Sequence, residues 1–483
     1  MTTPLSPVSP ARTGNGRLAV AVLTFLSFTV LFLQVGIVPL LPHLGQQLHL
    51  GAAEVSWLLT AELLGGAVAI PVLTRLADLH GKRRIIVVAL SLVLVGAVIG
   101  MVTDSVALLL VGRVLMGAQA PMLALPASLA SDTMSPARAQ GTIATIHAGN
   151  TVGVGGGLLL GGLIGAFDPS FHAYFHVAGV VVALGLIGTL LFVRESGERG
   201  HGSFDVPGGA LLAVSLVCLL LAISKGPAWG WGSGAVLGLF AAAVVLLGVF
   251  WVVERRTRHP LIDVRVLTLP TVWLPNVVVL LIAFGIYGAI SAVTRFAQTP
   301  PKAGYGFGFT PLQVTLFAIP TALGGLVGAF LLRRLGRRLG FVATTAIAVL
   351  GCTVSYLALA AFHTIPVPMM IALAVYAFGN TMGIAAAQVM LLADAPARRS
   401  GTALTVATVL YAVGNSLGSA IVGVLFAVHP LPGGLPAAQS YVWAFLLSGA
   451  CVALATGLCT VRAVRRSRAA AAVTDPAAPQ ASR

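Results

Sequence analysis

The sequence predicts an all-α polytopic membrane protein with fourteen transmembrane helices, arranged as two pseudo-symmetric six-helix bundles plus two inserted helices. Three observations predict it. Of 483 residues, 58% are hydrophobic and 8% charged, against about 25% charged in soluble domains, so a water-facing surface of ordinary size cannot be covered. Apolar runs of about 20 residues, the length that crosses a bilayer, recur along the whole chain. Lys and Arg recur between those runs instead of forming one basic face, so the formal net charge of +15 reads as membrane topology and not as a nucleic-acid surface. Disorder is excluded by the hydrophobicity. A disulfide scaffold is excluded by a count of four cysteines (Cys218, Cys352, Cys451, Cys459), each inside an apolar run.

Residues 1–17, rich in Pro, Ser and Thr, are expected to form a disordered cytoplasmic tail. The first bundle, 18–193, holds spans 18–41, 53–74, 85–103, 106–130, 141–166 and 172–193. A linker over 194–270 carries the two extra spans, 207–223 and 233–253. The second bundle, 271–462, holds spans 271–294, 310–332, 341–362, 367–392, 401–428 and 440–462, and 463–483 is a second disordered cytoplasmic tail. The first run lacks a small-residue cleavage site and reads as a span, not a removed signal. An even count puts both termini on one side. With that side cytoplasmic, 24 of the 28 basic residues fall in inner loops and tails; Lys225, Arg295 and Lys302 fall outside and Arg113 within a span. Dropping 207–223, the shortest run, would reverse every later loop against the positive-inside rule. The expected location is the cell membrane, with the lipid bilayer as partner.

The halves echo each other. Asp132-x3-Pro136-Ala137-Arg138-x2-Gly141-Thr142-x2-Thr145 precedes the fifth span, and Asp394-x-Pro396-Ala397-Arg398-x2-Gly401-Thr402-x2-Thr405 precedes the thirteenth. A duplicated six-span unit with two helices inserted between the copies explains the spacing. Duplicated halves with a site between them are a transporter arrangement.

Five stretches carry a family resemblance. Thr74-Arg75-Leu76-Ala77-Asp78-Leu79-His80-Gly81-Lys82-Arg83-Arg84 resembles the G-x-L-a-D-r-x-G-r-r loop of the major facilitator superfamily, with Thr74 for its first Gly and Leu79 for its middle Arg. Arg113-x2-Met116-Gly117 is similar to R-x-x-q-G, and Gly153-x3-Gly157-Leu158-x2-Gly161-Gly162 to the antiporter motif G-x3-G-P-x2-G-G, with Leu158 for its proline. Gly202-Ser203-Phe204-Asp205-x-Pro207-Gly208 and Gly304-Tyr305-Gly306-x-Gly308 resemble an actinobacterial subgroup. On these residues the chain is identified as a member of the fourteen-span drug/proton antiporter branch. The resemblance implies proton-coupled efflux of an amphipathic small molecule, a drug or natural product, by alternating access in a functional monomer. It also implies a conformational latch in which Asp78 meets the inner end of span 401–428 near Ser400 and Gly401, Gly81 makes the turn, and Lys82 and Arg83 hold the loop inside. The branch's usual acid in the first span is missing; only Gln34 is polar there among the long side chains. Leu158 and that missing acid keep two rivals open, a proton-coupled importer or uniporter and a non-transporting sensor or scaffold.

Glu62 is the one acid of thirteen well inside a span, and a charge at a helix centre costs about 2.5–3.5 kcal/mol on insertion scales. It lies roughly 13 Å, and Arg113 roughly 10 Å, from the outer starts of their spans at the helical rise per residue. Glu62 shares a face with Gly65, Gly66 and Ala69, and Arg113 with Met116, Gly117 and Ala120, small-residue faces that pack on helices. Glu62 is therefore the expected proton-coupling acid, with Arg113 modulating it; a change in their separation would bind or release a proton. The rival reading is a static ion pair. Gly149, Gly153, Gly157 and Gly161, with Gly165 and the adjoining Gly162, form a glycine seam, read either as close packing or as a sliding face. Gln34, Gln119, His147, Asn150, Asn380, Gln388 and Asn415 are candidate substrate-cavity residues. No nucleotide-binding loop, metal cluster or nucleophile triad is present in the sequence, so no enzyme, nucleotide, nucleic acid or cofactor is expected, and energy comes from an ion gradient, expected to be protons.

Overall fold

The computed structural model describes residues 13–50, 52–167, 170–196, 204–257, 260–261, 269–394, 400–428 and 436–474. The first bundle comprises α1 (Thr13–Gly36), α2 (Leu41–Gln47), α3 (Ala52–His80), α4 (Lys82–Val102), α5 (Val106–Met116), α6 (Leu125–Thr133), α7 (Pro136–Phe167) and α8 (Phe171–Phe192). Two inserted helices follow, α9 (Val206–Trp229) and α10 (Gly234–Arg256). The second bundle comprises α11 (Pro270–Gln298), α12 (Pro311–Phe317), α13 (Ile319–Leu339), α14 (Phe341–Phe362), α15 (Pro366–Asp394), α16 (Ser400–Val428) and α17 (Ala438–Thr474).

Among the described residues, 13 stretches are long and apolar enough to cross a membrane. The expected span 310–332 is instead broken into α12 and α13. Pro320 at the start of α13 has no N–H to continue α12's ladder, and α13 runs on through Arg333, Arg334, Arg337 and Arg338, so it is too charged to count as an apolar span. The span 106–130 is also discontinuous: α5 passes into a 3-10 stretch, Gly117–Leu123, with Pro121 inside it, before α6 begins. Two expected tails differ from their reading. Helix α1 starts at Thr13, and α17 continues past 462 to Thr474 through an Ala- and Arg-rich run of strong helix formers. The remaining tail residues and the Gly202–Ser203 part of its motif lie outside the described residues.

Each bundle has its own apolar core, one from Leu23 to Val193 joined by Val389, the other from Leu274 to Cys459. Close helix contact comes from glycines. A Cβ on Gly149 would collide with the Thr24 carbonyl oxygen, one on Gly153 with that of Phe28, on Gly157 with that of Phe32, and on Gly161 with that of Gly36, so α7 lies backbone to backbone along α1. Gly414 and Gly418 of α16 meet the carbonyls of Leu280 and Phe284 in α11 in the same way. The duplication is thus visible in the contacts themselves.

The inserted pair lies to one side. Leu212, Leu216 and Leu220 of α9 and Phe250 of α10 pack with Ala67 of α3 and Val406 of α16, so α9 covers the α3–α16 junction between the halves. Lys225 Nζ sits 3.9 Å from the centre of the Trp57 ring, and the Thr60 and Ser224 hydroxyls are 3.1 Å apart. The opposite junction is α7 against α13.

Candidate functional site

The site begins with backbone contact. A Cβ on Gly65 would collide with the Val114 carbonyl oxygen, and one on Gly117 with the Glu62 carbonyl and the Gly66 amide. These glycines let α3 press against α5 and the 3-10 stretch, which carries Glu62 (4% exposed) onto Arg113 (0% exposed). Glu62 Oε2 is ion-paired with Arg113 Nη2, and its Oε1 accepts from Gln119 Nε2. Arg113 Nε donates to the Leu58 carbonyl at 3.1 Å, and its Nη1 lies 4.0 Å from Met116 Sδ. Tyr174 of α8 is in electrostatic contact with both charges and donates its hydroxyl to the Leu33 carbonyl of α1.

The 3-10 stretch explains Gln119. In a continuous α-helix Gln119 would stand about 120° round the axis from Arg113; three residues at 120° each reduce that to about 60°. Pro121 and Gly117 thereby turn Gln119 toward Glu62. Sequence reasoning placed Gln119 in a cavity because a proline-bearing 3-10 segment is invisible to helical periodicity. Among the described residues, the second half has no such pair. Gly324 and Gly328 of α13 meet the carbonyls of Ala374 and Phe378 in α15 as Gly65 and its neighbours meet α5, and carried through those contacts Glu62 and Arg113 fall on Thr321 and Leu373.

A second charged cluster occupies the basic end of the first bundle. Lys82, 6% exposed, pairs with Asp132 Oδ2 and donates to Ser128 Oγ, both at 2.5 Å. Asp78 lies in the same field, facing Lys82, Arg75 and Asp132. Gly81 has φ +106°, a region that favours glycine, and starts α4. There the Glu195 carboxylate accepts from the Arg83 and Arg84 amides at 3.0 and 3.1 Å, while Arg83 Nη2 donates to the Leu190 carbonyl at 2.8 Å. Lys82 and Arg83 are therefore tied into the bundle rather than left as solvated topology signals. The expected partner of Asp78, the side chains around Ser400 and Gly401, lies outside the described residues. Sequence reading assigned no role to Asp132, Ser128 or Glu195, which meet this loop from 46 to 112 residues away and show no local pattern.

The glycine seam packs on α1, as given above, but Gly162 is not part of it: no atom lies within 4 Å of its Cβ position, because it stands one residue, about 100°, round the helix from Gly161. Of the proposed cavity residues, His147 Nε2 and Gln388 Oε1 are 3.1 Å apart and join the two halves; beside them the Thr151 and Thr381 hydroxyls are 3.0 Å apart. Gln34, Asn150, Asn380 and Asn415 are half-buried. None of the seven lines the cavity of about 580 Å3 that lies between α7 and α13.

A family model described as Major Facilitator Superfamily matches residues 20–419. The chain is 28% identical over 341 residues to the multidrug resistance protein Stp of Mycobacterium tuberculosis, covering 69% of this chain and 62% of that protein. It is 29% identical over 291 residues to the tetracenomycin C resistance and export protein of Streptomyces glaucescens, covering 60% and 53%. It is also 26% identical over 307 residues to a uridine/deoxyuridine transporter of Lactococcus lactis, covering 62% and 64%. The chain thus spans less than two thirds of the length of each of these relatives. The human organic anion transporter MFSD10 superposes with a TM-score of 0.66 over 93% of this chain and 100% of that one, at 16% identity, a likeness of fold.

Proposed function

The chain belongs to the major facilitator superfamily, and from that premise we propose that it is a proton-coupled exporter of amphipathic small molecules, working by alternating access in the cell membrane. The observation that carries the coupling is the buried Glu62–Arg113 pair with Gln119 as its third member. Burying charge in a bilayer is costly, and here the cost is offset only while acid and base stand together. The pair lies where α5 gives way to the 3-10 stretch, and discontinuous spans are where transporters gather their ion and substrate groups. In this reading Arg113 and Gln119 hold the Glu62 side chain in the paired arrangement. Movement of α3 against α5 separates it from Arg113, and the acid then takes a proton from the outer side and returns it inside as substrate leaves. The basic end, with Lys82 and the arginines of α13, is the cytoplasmic one, in keeping with the positive-inside rule. The gradient supplies roughly 2.3 kcal/mol per charge for each 100 mV.

Export of drugs or natural products is favoured over import by the names of the first two relatives. The test starts with a resistance screen in a pump-deficient host, which selects a substrate. Everted vesicles made acid inside should then accumulate that substrate, and Glu62→Gln should abolish the gradient-driven accumulation while protein remains in the membrane and substrate counterflow persists. Accumulation that ignores the proton gradient overturns proton-coupled export; unchanged coupling in the variant overturns the role of Glu62.

A further inference from the structure

We propose that the cavity between α7 and α13 binds the phosphate headgroup of an anionic phospholipid from the leaflet at the basic end. The cavity, about 580 Å3, is walled by one helix from each half: Ala144 of α7 on one side, and Phe330, Arg333, Arg334, Arg337 and Arg338 of α13 on the other. All four arginines are exposed, and no acidic residue lines the cavity among the described residues. Topology alone accounts for basic residues at this end of the helix. It does not account for their placement around a hollow with an apolar floor.

The corresponding loop of the first half uses its charge internally: Lys82 takes Asp132 and Ser128, and Arg83 takes backbone carbonyls. The second-half counterpart, Arg333-Arg334-Leu335-Gly336-Arg337-Arg338 in the last turns of α13, has no acid within it, and its four arginines line the hollow. A guanidinium presents a planar fork of donors that matches a phosphate bidentately. What distinguishes a lipid from a free phosphate ion is the surface beyond the arginines. Phe330 (69% exposed), Val327 (48%) and Leu323 (56%) continue along one face of α13 away from the charged end, an apolar stripe about 10 Å long at the helical rise. A headgroup held by the arginines would lay its acyl chains on that stripe. The inserted helices lie over the other junction. This site is independent of the Glu62 reading and stands or falls separately from it.

The test is native mass spectrometry of the purified full chain, titrated with phosphatidylglycerol and, separately, phosphatidylcholine. Wild type is expected to retain phosphatidylglycerol selectively. Arg333→Gln/Arg337→Gln should weaken that retention by about fivefold per lost guanidinium, the factor that follows from the usual attraction of one basic residue to an anionic leaflet. Arg255→Gln/Arg256→Gln, which removes two charges at the end of α10, should leave it unchanged. Arg333→Lys/Arg337→Lys, which keeps the charge and loses the fork, should fall between and serves if the Gln variant does not fold. Equal retention of the two lipids overturns the proposal, as does equal loss in the two Gln variants. Competition by inorganic phosphate as effective as competition by phosphatidylglycerol also overturns it, by making a soluble anion the ligand.

Discussion

A carboxylate and a guanidinium buried together hold each other in place, and Glu62 and Arg113 are the pair on which residue-scale stability turns. Removing one member of a buried pair strands the other and costs about 3–5 kcal/mol, whereas replacing both with apolar groups of similar size is often close to neutral. Arg113→Met should therefore lower the thermal midpoint in detergent sharply, and Glu62→Gln/Arg113→Met should recover most of the loss. A double-mutant cycle measures this, and additive losses would show that the two charges are not coupled. The pair was legible in the sequence because two charges stand out in apolar runs and their depths match. The third member was not, since Gln119 reaches Glu62 only through the 3-10 turn at Gly117–Leu123. Lys82–Asp132 and Glu195 with the α4 amides were hidden for another reason: each joins positions far apart in the chain, and only the packing of α4 on α6 and α8 brings them together.

At the scale of the helix, glycine placement sets how near two backbones come. Gly149, Gly153, Gly157 and Gly161 recur every four residues along α7 and meet α1 at Thr24, Phe28, Phe32 and Gly36, also every four. A seam of this regularity fixes register, since a shift of one residue would bring side chains where only hydrogens fit. Gly153→Ala should force the helices apart at the Phe28 carbonyl and cost about 1–3 kcal/mol as an overpacked contact. Gly162→Ala, facing open space, should be neutral or slightly stabilising, since Ala is the better helix former by about 1 kcal/mol. Thermal midpoints of the two variants, measured side by side, check this; equal effects would place the seam elsewhere. The periodicity of the glycines was readable in the sequence, but their partner helix was not. The break between α12 and α13 was equally unreadable from hydropathy, because an apolar window averages over the Ile319–Pro320 step that interrupts the ladder.

For the whole molecule, the same seams that lock α7 to α1 and α16 to α11 make those helix pairs stiff, while α7 packs on α13 and α15 of the other half through small apolar side chains and two polar pairs. His147 with Gln388 and Thr151 with Thr381 join α7 to α15 across the centre. Polar contacts between membrane helices average only about 0.6 kcal/mol each, so parting them is a small part of a rocking motion, whereas unzipping a glycine seam would expose backbone along several turns. The larger motion should therefore fall at the junction between the halves, with a smaller shift of α3 on α5 parting Glu62 from Arg113. Two hydroxyl pairs of nearly equal separation distinguish the cases: Thr151 and Thr381 at 3.0 Å span the halves, and Thr24 and Thr145 at 3.2 Å lie within the first. In a background with Cys218, Cys352, Cys451 and Cys459 replaced by Ala, oxidised Thr151→Cys/Thr381→Cys should lose transport and regain it on reduction. Oxidised Thr24→Cys/Thr145→Cys should transport in both states. Full activity of the cross-half disulfide would mean that the halves do not part at this point, and loss in the within-half disulfide would mean that α1 and α7 do not move as a unit.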